Sequence, residues 1–229
     1  MEVVWVGGCA ILAVVTLRRL RVPGLWLGFP PVFQAIMLGH VEMVVLWLLV
    51  IAGPASALGA LVKPYVGFAL VAERRWGAIA VVVAVAVASL VVLPWELFLD
   101  ALPRIGATIE AQSHGDSVFG QPILLLVGVV ALASLGLRRG LWLAVPVLWP
   151  GAQPLYKVVT VPALSRLLLI AWSLPIPGAK LVGLVVEAGL LAWSRHRTLP
   201  SWIAPALGPV SPWFIHSTKP TVPPSEPHT

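Results

Sequence analysis

Charge is what this sequence has least of. Only 10% of its 229 residues are Asp, Glu, Lys or Arg, while 59% are hydrophobic, and the mean hydropathy is +0.96. So little polar surface does not cover a soluble globule, which argues against water as the main solvent. Cysteine is almost missing as well: Cys9 stands alone in an apolar run, so there is no disulfide framework and no thiolate metal site. There is no P-loop, GxGxxG, HExxH or GxSxG pattern, which leaves nucleotide-driven and hydrolase chemistry without a motif. The run Val3 to Leu17 has an acid before it and Arg18-Arg19 after it, the reverse of the charge order of a secretory signal, so it reads as a retained helix. The net charge of +6 would suit nucleic acid, but the arginines fall in doublets between apolar runs and not along one helix face. No nucleic-acid partner is expected.

What the chain has in abundance is apolar runs. A spanning helix needs about 20 mostly apolar residues at a rise of about 1.5 Å each. Candidate runs are Val3–Leu17, Pro31–Gly53, Ala55–Val71, Trp76–Leu93, Pro122–Leu137, Leu141–Trp149, Val158–Ile176 and Lys180–Trp193, the Leu141 run being too short alone. Stretches such as Ala78–Val92 would pass for buried strands in a soluble protein, but in lipid the backbone must satisfy its own polar groups, which favours helix. The expected fold class is therefore all-α, a multi-pass transmembrane bundle of about seven to eight helices over residues 1–197. A Pro-rich tail, 198–229, has the composition of a flexible segment. Membrane lipids are the expected surroundings, and a bacterial plasma membrane the expected location.

Orientation follows from the arginines, because cytoplasmic loops retain Lys and Arg. Arg18, Arg19 and Arg21, then Arg74-Arg75, then Arg138-Arg139 are each separated by room for two crossings, which sets the loop of about 95–121 outside the cytoplasm. Three runs separate Arg139 from Arg195 and Arg197, so either Leu141–Trp149 is re-entrant or the last basic cluster breaks the rule.

Ionisable groups in apolar runs cost about 2.5–3.5 kcal/mol each on insertion scales, so each needs a partner, water or a task. Lys63 is the foremost. It sits mid-run beside Pro64, which removes a backbone donor and kinks a helix. A hairpin at Gly53-Pro54 brings Lys63 within reach of Glu42, with His40 nearby. One reading is an ion pair that locks the hairpin; the other is a cation for a lipid phosphate. Glu96, Asp100 and Arg104 share one face at i, i+4 spacing, as in a short interfacial helix anchored by Trp95. Glu110, His114 and Asp116 gather in a polar stretch without dependable metal-ligand spacing, so no metal is expected, and nothing calls for a cofactor.

Three stretches in order carry a resemblance. Leu38-Gly39-His40-Val41-Glu42 heads an apolar helix; Leu58-Gly59-Ala60-Leu61-Val62-Lys63-Pro64 follows, then Arg74-Arg75-Trp76. This order resembles the glycosyltransferase 87 family of polyprenol-phosphate-dependent mannosyltransferases, which has the GT-C fold. Leu148-Trp149-Pro150-Gly151-Ala152-Gln153-Pro154-Leu155-Tyr156, with Pro162, is similar to that family's Pro-x-x-Q-x-H-Tyr stretch. The resemblance covers about Pro31 to Leu169. It implies transfer of a sugar, mannose on the family's pattern, from a polyprenyl-phosphate donor to a lipid or glycan acceptor on the extracytoplasmic face. Lys63, Tyr156 and Lys157 would contact the donor, with His40 and Glu42 beside them; the catalytic group is not identified. The departures are Leu155 where the family has His, His40 and Glu42 at the Asn-like positions, and no long acidic loop ahead of Lys63. The chain is then expected to correspond to the C-terminal portion of the fold, the N-terminal half missing or supplied in trans. Two other functions fit the composition: a small transporter subunit with Lys63, Glu42 and His40 on a polar path, or a non-catalytic membrane scaffold.

Overall fold

The computed structural model describes residues 2–51, 53–112, 117–150, 152–176, 178–195, 198–212 and 214. Among them the chain is all-α, with no strand. The helices are α1 (Glu2–Arg19), α2 (Pro30–Met37), α3 (Glu42–Ile51), α4 (Ser56–Val62), α5 (Gly67–Ala72), α6 (Trp76–Val92), α7 (Trp95–Gln112), α8 (Pro122–Ser134), α9 (Leu137–Leu148), α10 (Arg166–Ser173) and α11 (Ala179–Ser194). Three 3-10 segments join them, the longest being Pro154–Ala163, and a fourth, Ala204–Ala206, follows α11.

Several runs expected as single helices are broken, for local reasons. The run 31–53 divides at Gly39, whose φ of +58° suits glycine and terminates α2. The indole Nε1 of Trp5 donates to Gly39 O, and a Cβ at position 39 would run into that ring. Helix α3 then departs at 112° to α2. The run 55–71 divides at Lys63-Pro64. A residue before proline is pushed out of the helical region, and Lys63 sits at φ −136°, ψ 96°. The chain passes through the 3-10 turn Pro64–Val66 before α5 resumes. In the run 158–176, α10 starts only at Arg166, where the Ser165 hydroxyl accepts from Leu168 N at 3.0 Å as an N-cap.

No single helix among the described residues is long and apolar enough to cross a membrane. Two bent pairs pass together, α2 with α3 and α6 with α7, the latter bent by 107°. Helix α6 has 17 residues, a rise of about 25 Å against a hydrocarbon core of about 30 Å. Beyond it, most of the expected external loop is helix α7.

The core lies where the 3-10 segment Pro154–Ala163 packs against α2, α3 and α9, with α9 against α5 and with α1 and α4 against α3. Trp142, Leu143, Val158, Val159, Leu46 and Leu49 are fully buried there. The segment Leu141–Trp149, which hydropathy left ambiguous, is thus a buried core helix over most of its length. Outside the core the usual polarity is inverted: α6 presents Val91 at 89% exposure and Val92 at 78%, α7 presents Leu97 at 69% and α8 presents Ile123 at 76%.

The tail expected to be flexible is packed at Val210, Ser211 and Phe214. Val210 N donates to Leu164 O at 3.0 Å, the Ser211 hydroxyl donates to Leu20 O at 2.7 Å, and Phe214 is buried with Arg138 stacked 4.1 Å over its ring. Composition alone hid this, because a few well-placed contacts suffice to seat a Pro-rich segment.

Candidate functional site

Glu42 opens α3 and is wholly buried, yet three side chains converge on it. Lys63 Nζ lies 3.3 Å from Oε1, the Tyr65 hydroxyl donates to the same oxygen at 3.2 Å, and His40 Nδ1 bonds Oε2. The local sequence accounts for this. The Gly39 turn places His40 and Glu42 side by side, and the Gly53-Pro54 turn, capped by the Ser56 hydroxyl on Gly53 O at 2.7 Å, sends α4 back along α3. Pro64 then forces Lys63 into an extended conformation, which aims Lys63 and Tyr65 at one carboxylate.

Aromatic rings close the other side. The Lys63 ammonium sits 5.5 Å from the centre of the Tyr156 ring, a cation–π distance. The Tyr65 ring is 4.5 Å from Tyr156 and 5.9 Å from Trp149, and Trp149 is 6.3 Å from Phe68. The Lys63 side chain retains 24% exposure while Glu42 has none. One ammonium donor faces Glu42; an ammonium has three. A ligand can therefore reach the cation and cannot reach the carboxylate.

An open, mostly apolar groove of about 640 Å³ begins beside this cluster, lined by Pro64, Gly67, Phe68, Val82, Trp95 and Trp149 among others. It runs between α4–α5 and α6. Pro64 and Trp149 thus belong to the groove while their neighbour Lys63 and contact Tyr65 belong to the polar cluster.

Of the residues singled out from sequence, His40, Glu42, Lys63 and Tyr156 come together. Lys157 does not join them: it is buried and its Nζ donates to Trp172 O at 3.3 Å, on α10. The direction changes because successive residues of a 3-10 helix project to different sides. Glu96, Asp100 and Arg104 lie on the exposed surface of α7. His114 and Asp116 lie outside the described residues, as does the side chain of Glu110. Among the described residues no group of three or more His, Cys, Asp or Glu is placed to hold a metal ion.

A second buried network was not read from the sequence. Arg139 Nη1 pairs with Glu187 Oε1 at 2.7 Å, Arg139 Nε donates to Ala163 O at 2.9 Å, the Ser165 hydroxyl donates to Glu187 Oε2, and Gly208 N donates to Oε1 at 3.1 Å. The signal was there: Glu187 is an isolated acid inside the apolar run Lys180–Trp193, and such a residue demands a partner. Tyr65 was likewise readable as the residue two beyond Lys63. Comparison with protein families, with characterised proteins and with solved structures finds no match to this chain.

Proposed function

We propose that the chain is a membrane-embedded protein that binds the phosphate of a lipid-linked sugar donor at Lys63, acting as a polyprenyl-phosphate-dependent glycosyltransferase or as part of one. A single observation carries this reading: an accessible cation, held by a buried counter-charge, is the chain neighbour of Pro64, which lines an open apolar groove. An amphiphile with a phosphate head and a long hydrocarbon tail matches both halves. The ordered resemblance through Gly39, Lys63-Pro64 and Tyr156 supports the same class.

In this scheme Lys63 offers its free donors to the donor phosphate, and Tyr156 limits how far the ammonium can swing. As the bond from sugar to phosphate breaks, negative charge grows on the leaving phosphate and Lys63 stabilises it. Glu42, buried and already accepting from three groups, positions Lys63 and does not act as the base. Deprotonation of the acceptor hydroxyl falls to an external carboxylate. Glu96 is the first to test, since its neighbour Trp95 lines the groove.

The test is equilibrium binding of a short-chain polyprenyl phosphate to the full chain. Removing both charges together, Lys63→Met with Glu42→Leu, avoids stranding a buried carboxylate, so the protein is expected to fold. Loss of one charge-assisted contact weakens binding roughly tenfold to a hundredfold. Unchanged binding in the folded double variant contradicts the assignment. A non-catalytic scaffold is the second reading, favoured by the saturation of Glu42, which looks after its own partners without a ligand. Under it, each single replacement destabilises, the double one recovers, and no lipid phosphate binds.

A further inference from the structure

Three basic stretches far apart in sequence are tied to one end of the bundle. The Ser211 hydroxyl bonds Leu20 O at the end of α1, Phe214 lies under Arg138 at the start of α9, and Arg138 pairs with Glu73 at the end of α5 at 2.9 Å. Arg18, Arg19, Arg21, Arg74, Arg75 and Arg138 therefore face this end, with Glu73 beside them. The Glu73 carboxylate already accepts from Arg138 Nε and Nη2, at 2.9 and 3.0 Å, and from Trp142 Nε1 at 2.8 Å. It has little left for the others. Arg74 is exposed and pairs with no acid among the described residues. Arg75 Nη1 is buried without a hydrogen-bond partner. Burial holds the Arg75 guanidinium below its ordinary pKa; Glu73 works against that and Arg138 adds to it.

A cleft of about 380 Å³ opens here between α5 and α9. Its walls are Val71, Ala72, Glu73, Arg74, Leu137, Arg138 and Leu141, charged and apolar residues on both sides. Leu137 is 77% exposed, and Val71 lines both this cleft and the apolar groove along α6. The apolar surface is thus continuous from the arginines to the flank of the bundle. A free phosphate or a nucleic acid would use the guanidinium groups and gain nothing from Leu137 and Val71. A phospholipid uses both, headgroup in the cleft and acyl chains along α5 and α6.

We infer that the cleft between α5 and α9 binds the headgroup of an anionic phospholipid. This site is separate from Lys63, and it rests on the proposed function only for membrane residence.

The test compares melting of the full chain in neutral micelles, in the same micelles doped with phosphatidylglycerol, and in neutral micelles with inorganic phosphate. Phosphatidylglycerol at a hundredfold excess over its Kd is expected to raise the melting temperature by about 5–10 °C, an effect reduced at 1 M salt, where the Debye length is about 3 Å. Inorganic phosphate is expected to do nothing. The decisive variant is Arg74→Gly. Arg74 has φ +53°, a conformation glycine adopts freely, so removing its side chain does not lower melting in neutral micelles but halves the lipid shift or more. Lys63→Met with Glu42→Leu leaves the lipid shift in place, which separates failure here from failure of the donor site. An equal shift with phosphate alone, or a full lipid shift in Arg74→Gly, overturns the inference. So does extraction of the chain from membranes at alkaline pH, which removes the membrane reading as well.

Discussion

At the scale of single residues, buried charge decides more than hydrophobicity does. Lys63→Met alone leaves the Glu42 carboxyl group in full burial without its cation, with only Tyr65 and His40 to answer it. Breaking such a pair from one side costs about 3–5 kcal/mol, and removing both charges together costs far less. The expected outcome in denaturant melts is a loss of about 3 kcal/mol for Lys63→Met, largely restored by adding Glu42→Leu; additive losses would contradict the coupling. Arg139→Met is expected to cost as much or more, because Glu187 is wholly buried and pairs with it at 2.7 Å. The Lys63–Glu42 pair was legible in the sequence, since both ionisable groups flank a turn marked by Gly53-Pro54. The Arg139–Glu187 pair was harder to read. Arg139 belongs to a doublet that topology rules assign to a loop, and 48 positions separate it from its partner (187 − 139).

At the scale of elements, hydropathy found where helical runs lie and missed where they break. A window average does not register that Gly39 needs a positive φ, or that Pro64 removes the residue before it from the helix. Those two breaks build the site. Glycine also sets how closely helices approach. A Cβ at Gly140 on α9 would strike the backbone carbonyl of Leu132 on α8, which has no flexible end to yield. Gly140→Ala is expected to destabilise by about 1–3 kcal/mol through overpacking, measured as a lower denaturant midpoint with an unchanged slope. Gly59, with only ordinary contacts to Val66, Leu48 and Val45 at 3.7 to 3.8 Å, is the control: Gly59→Ala is expected to be neutral or slightly stabilising, as alanine favours helix by about 1 kcal/mol.

At the scale of the whole molecule, two ends and a flank have different chemistry. From the arginine end, α6 rises about 25 Å over its 17 residues to the bend where α7 turns away by 107°. Lys63 stands about 15 Å from the arginines, the combined rise of α5 and the 3-10 turn before it. Apolar residues face outward along α6 and α8, the opposite of a water-soluble core. In sealed vesicles, Arg74→Cys and Asp100→Cys are expected to react with impermeant reagents from opposite sides, while Cys9 is buried and contributes no background. Labelling of both from one side would mean that α6 does not cross. The arginine spacing sets the sidedness that this labelling tests; that residues 95–112 form a helix was readable in part, from the i, i+4 face of Glu96, Asp100 and Arg104.

The most direct measurement is photolabelling of the full chain in lipid with a short polyprenyl phosphate that carries a benzophenone on its hydrocarbon end. Labels on Phe68, Val82 or Trp149, competed by unmodified polyprenyl phosphate and lost in the folded Lys63→Met, Glu42→Leu double variant, are the expected result. Labelling that is scattered over the exposed faces of α6 and α8, or indifferent to Lys63, would contradict a lipid-phosphate site there.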